Sequence, residues 1–165
     1  MPEPFRVVRL GADDAAVYRS VRLEALTADP AVFASTFERE QSFEQSTWME
    51  RLTSPNVGIW ALFETARAIG MTGAYVAPED PERCQLWGSW ITPDFRGRGI
   101  SALLFPPRIA WARRRGLRSV VGAHRASNEA SCGALRSQGF QFSHTEAFVW
   151  PDGKTEDIWY HELPL

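Results

Sequence analysis

Gly97 and Gly99, flanked by Arg96 and Arg98, are the residues of this chain whose types and spacing point most directly to chemistry. They lie within Trp90-Ile91-Thr92-Pro93-Asp94-Phe95-Arg96-Gly97-Arg98-Gly99-Ile100-Ser101-Ala102-Leu103-Leu104, which reads as the end of an apolar strand, a Pro-Asp break, a glycine-rich turn and the start of a helix. Glycine reaches backbone angles closed to other residues, so such a turn can aim several successive N–H groups at one point. Those donors, the positive end of a helix beginning near Gly99 and the two arginines together describe an anion site suited to a diphosphate.

Three phosphate-binding patterns compete for this turn. A nucleoside-triphosphate loop needs Gly-Lys-Ser/Thr, and here the run is Gly99-Ile100-Ser101 without a lysine. The dinucleotide fingerprint is matched in form by Gly97, Gly99 and Ala102, but it calls for an acid roughly 20 residues later to hold the ribose. Ser119-Val120-Val121-Gly122-Ala123-His124 offers none. The third pattern is a family resemblance: Arg96-Gly97-Arg98-Gly99-Ile100-Ser101 is similar to the R/Q-x-x-G-x-G/A signature of the GNAT superfamily of acetyl-CoA-dependent N-acetyltransferases. Ser101 departs from it, yet serine is small enough for a diphosphate to approach. The run from Asn128 to Phe140 also resembles the family's asparagine-to-Gly-Phe helix, except that Leu135 stands where many members carry a tyrosine.

The resemblance implies the GNAT fold, an α/β (α+β) arrangement with a mixed, mostly antiparallel central sheet flanked by helices on both faces. It implies one domain over residues 1–165 and acetyl-CoA as co-substrate, with pantetheine in a cleft where the strands 84–91 and 118–124 splay apart. Backbone groups of Ser89, Trp90 and Ile91 would pair with the pantetheine. Arg96, Gly97, Arg98, Gly99, Ile100, Ser101 and Ala102 would hold the diphosphate, and Asn128 would contact the CoA arm. An acceptor amine would attack the thioester directly while an N–H near Trp90 or Ile91 polarises the carbonyl.

Proton bookkeeping sets the remaining needs. Freeing the lone pair of a lysine-like amine, pKa ~10.4, costs about 4 to 5 kcal/mol at neutral pH, so a base matters. CoA thiolate, from a thiol with pKa near ~8.5, is a tolerable leaving group, so Leu135 in place of a tyrosine acid slows the reaction without abolishing it. Glu24, beside the apolar stripe of the first helix, and His124, at the end of a central strand, are candidate bases. Ser131, together with Cys132, could relay a proton through water. Phe33, Phe37, Trp60, Trp87 and Trp90 could line an apolar acceptor pocket, with Glu38 and Glu40 favouring a cationic amine. The alternative is an acyl-CoA-binding module of the same fold with weak or no catalysis.

Composition agrees with this picture. The chain has 165 residues, enough to bury a real core, and a net charge of -2 that leaves no basic footprint for nucleic acid. Arg113 to Arg115 precede Gly116 and suit a helix end. Two distant cysteines, Cys84 and Cys132, give neither a disulfide framework nor a metal spacing, so no metal and a reduced, cytoplasmic setting are expected. No membrane span or signal segment is read, and a homodimer is possible.

The elements that must position these residues follow from periodicity. A strand at 5–10 leads to a helix capped near Asp13 or Asp14, which ends before Asp29-Pro30. Capping-box patterns Ser35-x-x-Glu38 and Thr47-x-x-Glu50 announce a second helical region. Strands are expected at 57–63, 68–76 and 84–91, the last after a loop at 78–81. The cradle helix, 99–115, should break near Phe105 because Pro106-Pro107 sits inside it. A strand at 118–124, a helix at 128–138 and a hairpin of strands at 140–150 and 155–163 complete an order βααβββαβαββ.

Overall fold

The structure, a computed structural model, describes residues 4–165. Its elements are β1 (Phe5–Arg9), α1 (Ala15–Ala28), α2 (Phe37–Gln41), α3 (Gln45–Thr53), β2 (Val57–Glu64), β3 (Arg67–Ala77), β4 (Asp80–Ile91), α4 (Phe105–Arg114), β5 (Ser119–Arg125), α5 (Glu129–Ser137), β6 (Gln141–Glu146) and β7 (Ile158–Pro164). The strands form one sheet in the order β1-β2-β3-β4-β5-β7-β6, antiparallel throughout except for β4 against β5. The expected order of elements and the mixed, mostly antiparallel sheet are both present.

Period-two alternation sends successive residues of β2 to opposite faces. Ile59 and Ala61 join Tyr18, Val21, Leu26 and Trp48 under α1 and α3, whereas Trp60 joins Trp111, Phe105, Val120 and Leu135 under α4 and α5. Helices therefore cover both faces. Each fully buried side chain of this size contributes about 1.5–3 kcal/mol relative to exposure, which is what holds the layers together. In α1 the buried positions Tyr18, Val21, Arg22, Ala25 and Leu26 fall on one stripe of a 3.6-residue period.

Two features shape the site. The pairing of β3 with β4 slips between Met71↔Trp90 and Gly73↔Trp87, so Thr72 alone faces both Gly88 and Ser89. Gly88 takes φ +64 there, a bulge that bends β4 away from its other neighbour. On that other side the parallel ladder of β4 and β5 covers only Arg83↔Ser119, Cys84↔Val120 and Gln85↔Val121. Beyond it β5 keeps pairing with β7 as far as Arg125↔Ile158, while residues 86–91 of β4 have no ladder with β5.

Several boundaries differ from expectation. The cap of α2 is Thr36, whose hydroxyl accepts from Arg39 N at 3.2 Å, rather than Ser35, and Thr47 lies inside α3. Adjacent Ser-Thr residues are equally good cap types, so the pattern alone misplaced the start by one residue. β4 begins at Asp80, which leaves a tighter turn between β3 and β4 than the expected loop. The cradle helix is two pieces: a 3₁₀ turn at Ile100–Leu104, then α4, with Pro106 and Pro107 in its first turn. A missing N–H is harmless in a first turn, so the prolines start α4 instead of kinking it.

Candidate functional site

The gap left where β4 and β5 part is a cleft of about 370 Å³. One wall is β4 from Leu86 to Ile91, the other is Gly122, Ala123 and His124 of β5. Leu104, Phe105 and Arg108 close it on the α4 side, and Gly97 and Gly99 stand at one end. Both of these glycines take φ +74, and a Cβ on either would meet nothing within 4 Å, so backbone conformation and not crowding requires glycine. Since the 3₁₀ turn that follows spans only five residues, the donors at this end come from the turn itself more than from a helix dipole.

Of the residues read from the sequence as cofactor-binding, Ser89, Trp90, Ile91, Arg96, Gly97, Gly99, Ile100, Ser101 and Asn128 line the cleft. Arg98 and Ala102 do not. The Arg98 guanidinium turns back to the Asp94 carbonyl at 3.1 Å and stacks over Phe95, and Ala102 is exposed. Arg96 is also less free than expected: Nε donates to the Ile91 carbonyl at 2.8 Å and the guanidinium pairs with Asp29. Asp29 in turn accepts from Trp90 Nε1 at 2.7 Å. The Arg96 hydrogen bonds hold the Asp29 carboxyl below its ordinary range, with Trp90 assisting against the opposing effect of burial. The cationic rim is thus half-neutralised, and backbone N–H groups dominate the anion end.

The candidate bases fare unequally. Glu24 is exposed on the solvent side of α1 and lies outside the cleft lining, because the buried stripe passes through Val21 and Ala25 and leaves it out. His124 does line the cleft, but both ring nitrogens are engaged: Nδ1 with the Arg125 carbonyl at 2.7 Å and Nε2 with His161 Nε2 at 3.0 Å. Ser131 lines the cleft with its side chain, while its backbone N–H donates to Asn128 Oδ1 at 3.2 Å. Asn128 therefore caps α5 with its oxygen and keeps its amide NH₂ for the cleft.

In the expected acceptor region Phe33, Trp87 and Trp90 line the cleft, whereas Phe37 packs against the α1 core and Trp60 against Trp111 on the other face. Glu38 is exposed and Glu40 is buried in an ion pair with Arg22 (2.8 Å), so neither offers a free charge to an amine. Sequence reasoning missed Asp29 and Arg108. Arg108 is 1% exposed, donates to the Leu104 carbonyl at 2.8 Å and to Ser89 Oγ at 3.0 Å, and has no carboxylate partner. Burial pulls its pKa down to about 9, which leaves it charged at neutral pH. Its place four residues after Leu104 on α4 was a usable signal, but a lone arginine in a helix reads as surface.

A cleft between parted parallel strands, with a glycine turn at one end, invites comparison with known proteins. The family model described as "Acetyltransferase (GNAT) family" matches residues 21–140. The chain belongs to the GNAT acetyltransferase family. Solved structures of similar shape include a GNAT-family acetyltransferase from Streptococcus pneumoniae, 17% identical over 98% of this chain and 99% of that one, with TM-score 0.77. A putative acetyltransferase from Salmonella typhimurium, solved with its cofactor acetyl-CoA, is 16% identical over 99% and 95% of the two chains, with TM-score 0.78. A ribosomal-protein-alanine N-acetyltransferase from Brucella melitensis is 18% identical over 97% and 99%, with TM-score 0.77. No curated protein matches the chain. Acyl transfer is the chemistry of the family, and the GNAT fold of this chain keeps the cleft for it. Among the described residues no helix is long and apolar enough to cross a membrane.

Proposed function

We propose that this GNAT protein transfers the acetyl group of acetyl-CoA to an amine by direct attack, in a cytoplasmic setting. The observation that carries the reading is the parting of β4 and β5 after Gln85↔Val121 into a cleft that ends on Gly97 and Gly99. In this reading Ser89, Trp90 and Ile91 offer unpaired strand-edge groups to pantetheine, and amides of Gly97 to Ser101 hold the diphosphate. The Asn128 amide meets the CoA arm. A backbone N–H at the Gly88 bulge takes the developing oxyanion.

The ionisable groups that line the cleft argue for the acceptor's class. Among the described residues they are Asp29, Arg96, Arg108 and His124. Asp29 is paired and held acidic, and both nitrogens of His124 are engaged, so no free base faces the substrate. An α-amino group, pKa ~7.7–8.0, releases its lone pair at neutral pH for about 1 kcal/mol, against 4 to 5 for a lysine-like amine. A weakly basic amine of the α-amino kind is therefore the acceptor this site suits, with water or Ser131 carrying the proton out. The alanine N-acetyltransferase of similar shape lends support to N-acetylation. Leu135, buried in the cleft wall, supports the second reading, an acyl-CoA-binding module with little turnover.

Calorimetric titration of acetyl-CoA into the protein and into Arg96→Ala/Gly99→Glu is the test. Micromolar binding that the double variant loses, with thiol release on adding α-amines, is expected. Binding without thiol release across an amine panel selects the module, and no binding to the wild type overturns both readings.

A further inference from the structure

Behind the cleft wall, His124, His161 and Cys132 converge from three elements. His124 on β5 and His161 on β7 are diagonal neighbours, since Gly122 faces His161 and His124 faces Trp159 in the ladder, so both side chains rise from the same face of the sheet. The same face receives α5, whose Leu135 packs on Gly122. Cys132 lies three residues before Leu135, one turn back on that helix. One nitrogen of each imidazole and the Cys132 sulfur lie within 4.8 Å of one another. His124 and His161 are buried, and Cys132 is a half-buried free thiol.

The hydrogen bonding prepares this cluster for a cation. The His124 Nδ1–H donates to the Arg125 carbonyl, which leaves Nε2 as a lone pair directed at His161. That is the outer hydrogen bond through which protein sites fix the tautomer of a ligating histidine. The Nε2···Nε2 separation is 3.0 Å, and two nitrogens bound at ~2.0–2.1 Å to one tetrahedral ion stand about 3.3–3.4 Å apart, so a shift of a few tenths of an ångström seats it. His161 is fully buried and its Nδ1 has no hydrogen-bond partner, an unmet buried atom that structural packing does not explain.

We infer that His124, His161 and Cys132 form a binding site for a borderline-soft divalent cation of the Zn²⁺ type, with three protein ligands and one open position. Two imidazoles and a thiolate are the donor set that selects such ions over calcium or magnesium. Binding replaces the proton shared between the rings, which moves to His161 Nδ1, and expels one proton, that of the Cys132 thiol. Because His124 also lines the acetyl-transfer cleft, the ion sits directly behind that cleft's wall. The inference rests on the cluster alone and stands whether or not the chain turns over acetyl-CoA.

Cobalt(II) titrated into tag-free, CoA-free, reduced protein is the test, followed by displacement with Zn²⁺. One equivalent of Co²⁺ with a thiolate-to-metal charge-transfer band and tetrahedral d–d bands is expected, bleached by Zn²⁺. Cys132→Ser, a near-isosteric change at a half-buried position, removes the charge-transfer band and weakens binding at least about tenfold. His161→Gln weakens it likewise, and Cys84→Ala leaves the spectrum unchanged. A wild type that shows no saturable 1:1 binding at micromolar cobalt overturns the site. So does a spectrum that survives Cys132→Ser.

Discussion

Leu135 is buried in the cleft wall against Gly122, and a Cβ at position 122 would collide with its Cδ2. The pair explains a glycine in the middle of β5, where glycine otherwise weakens a strand. Gly122→Ala is expected to cost about 1–3 kcal/mol by overpacking, read from urea unfolding. Leu135→Tyr tests the chemistry at the same spot. A phenol there must project into the cleft, where it can protonate the departing thiolate. An increase in kcat is expected, bounded by the ~10²–10⁴-fold that acid–base help supplies, with little change in KM for acetyl-CoA. An unchanged kcat in steady-state assays would mean that the thiolate leaves unaided. Arg108 is the other residue that the chemistry leaves in view. Its buried charge rests on Ser89 and the Leu104 carbonyl, and Ser89 in turn meets Thr72 Oγ1 at 2.7 Å, so a polar chain runs from α4 across the bulge of β4 to β3.

The helices α1, α2 and α3 are joined by a buried ion pair rather than by apolar contact alone. Arg22 of α1 donates from Nε and Nη2 to the two oxygens of Glu40 on α2, at 3.0 and 2.8 Å, and lies over the rings of Phe33 and Trp87. Arg51 of α3 stands 3.6 Å from the same carboxylate. Burial alone would push the Glu40 carboxyl up, but the bonds and charge of Arg22 outweigh it and hold the group below its usual range. Glu40→Ala leaves Arg22 charged and buried, and a loss of roughly 3–5 kcal/mol is expected, measured by urea unfolding. A loss below about 1 kcal/mol would mean that water reaches the pair. These contacts also mark the limit of what sequence showed. The cradle was legible because its chemistry lies in one contiguous turn, and the helix stripe through Val21 and Ala25 because its period is local. The partners of Glu40, the Asp29–Arg96 tie and the His124–Cys132–His161 cluster join residues 18 or more positions apart in most pairs, through tertiary packing that no spacing encodes. Glu24 looked functional for the same reason: only the rotation of α1, set by Tyr18 and Leu26 in the core, turns it to solvent.

Acid sensitivity belongs to the whole molecule, because every resolved shift among its carboxyls and histidines has the same sign. Desolvation, with His124 and Arg136 as neighbouring charges, holds His161 below its ordinary value. Asp29 is held down by Arg96, Glu40 by Arg22, Asp152 by the Lys154 N–H and Arg125, and Glu156 by Ser127 and Arg125. A group that binds its proton more weakly when folded leaves the unfolded chain holding more protons, so stability rises with pH across the gap between the two values. For His161 the full contribution is present above the unfolded value near ~6.5 and is lost as pH falls through the folded one. For the carboxyls it is present above about pH 4 and lost below. Stability of the metal-free protein is therefore expected to fall in two stages. The first is shallow, at most about 1.4 kcal/mol per pH unit for one proton, beginning near ~6.5. The second is steeper and begins near ~4, as the ties from Asp29 to the cleft and from Asp152 and Glu156 to Arg125 are protonated. In His161→Gln the first stage disappears and the second remains. Urea unfolding between pH 8 and pH 3 measures both, and wild type and variant curves that run parallel from pH 6.5 to 5 would overturn the role given to His161, because then burial of that ring would not be what makes the fold sensitive to mild acid.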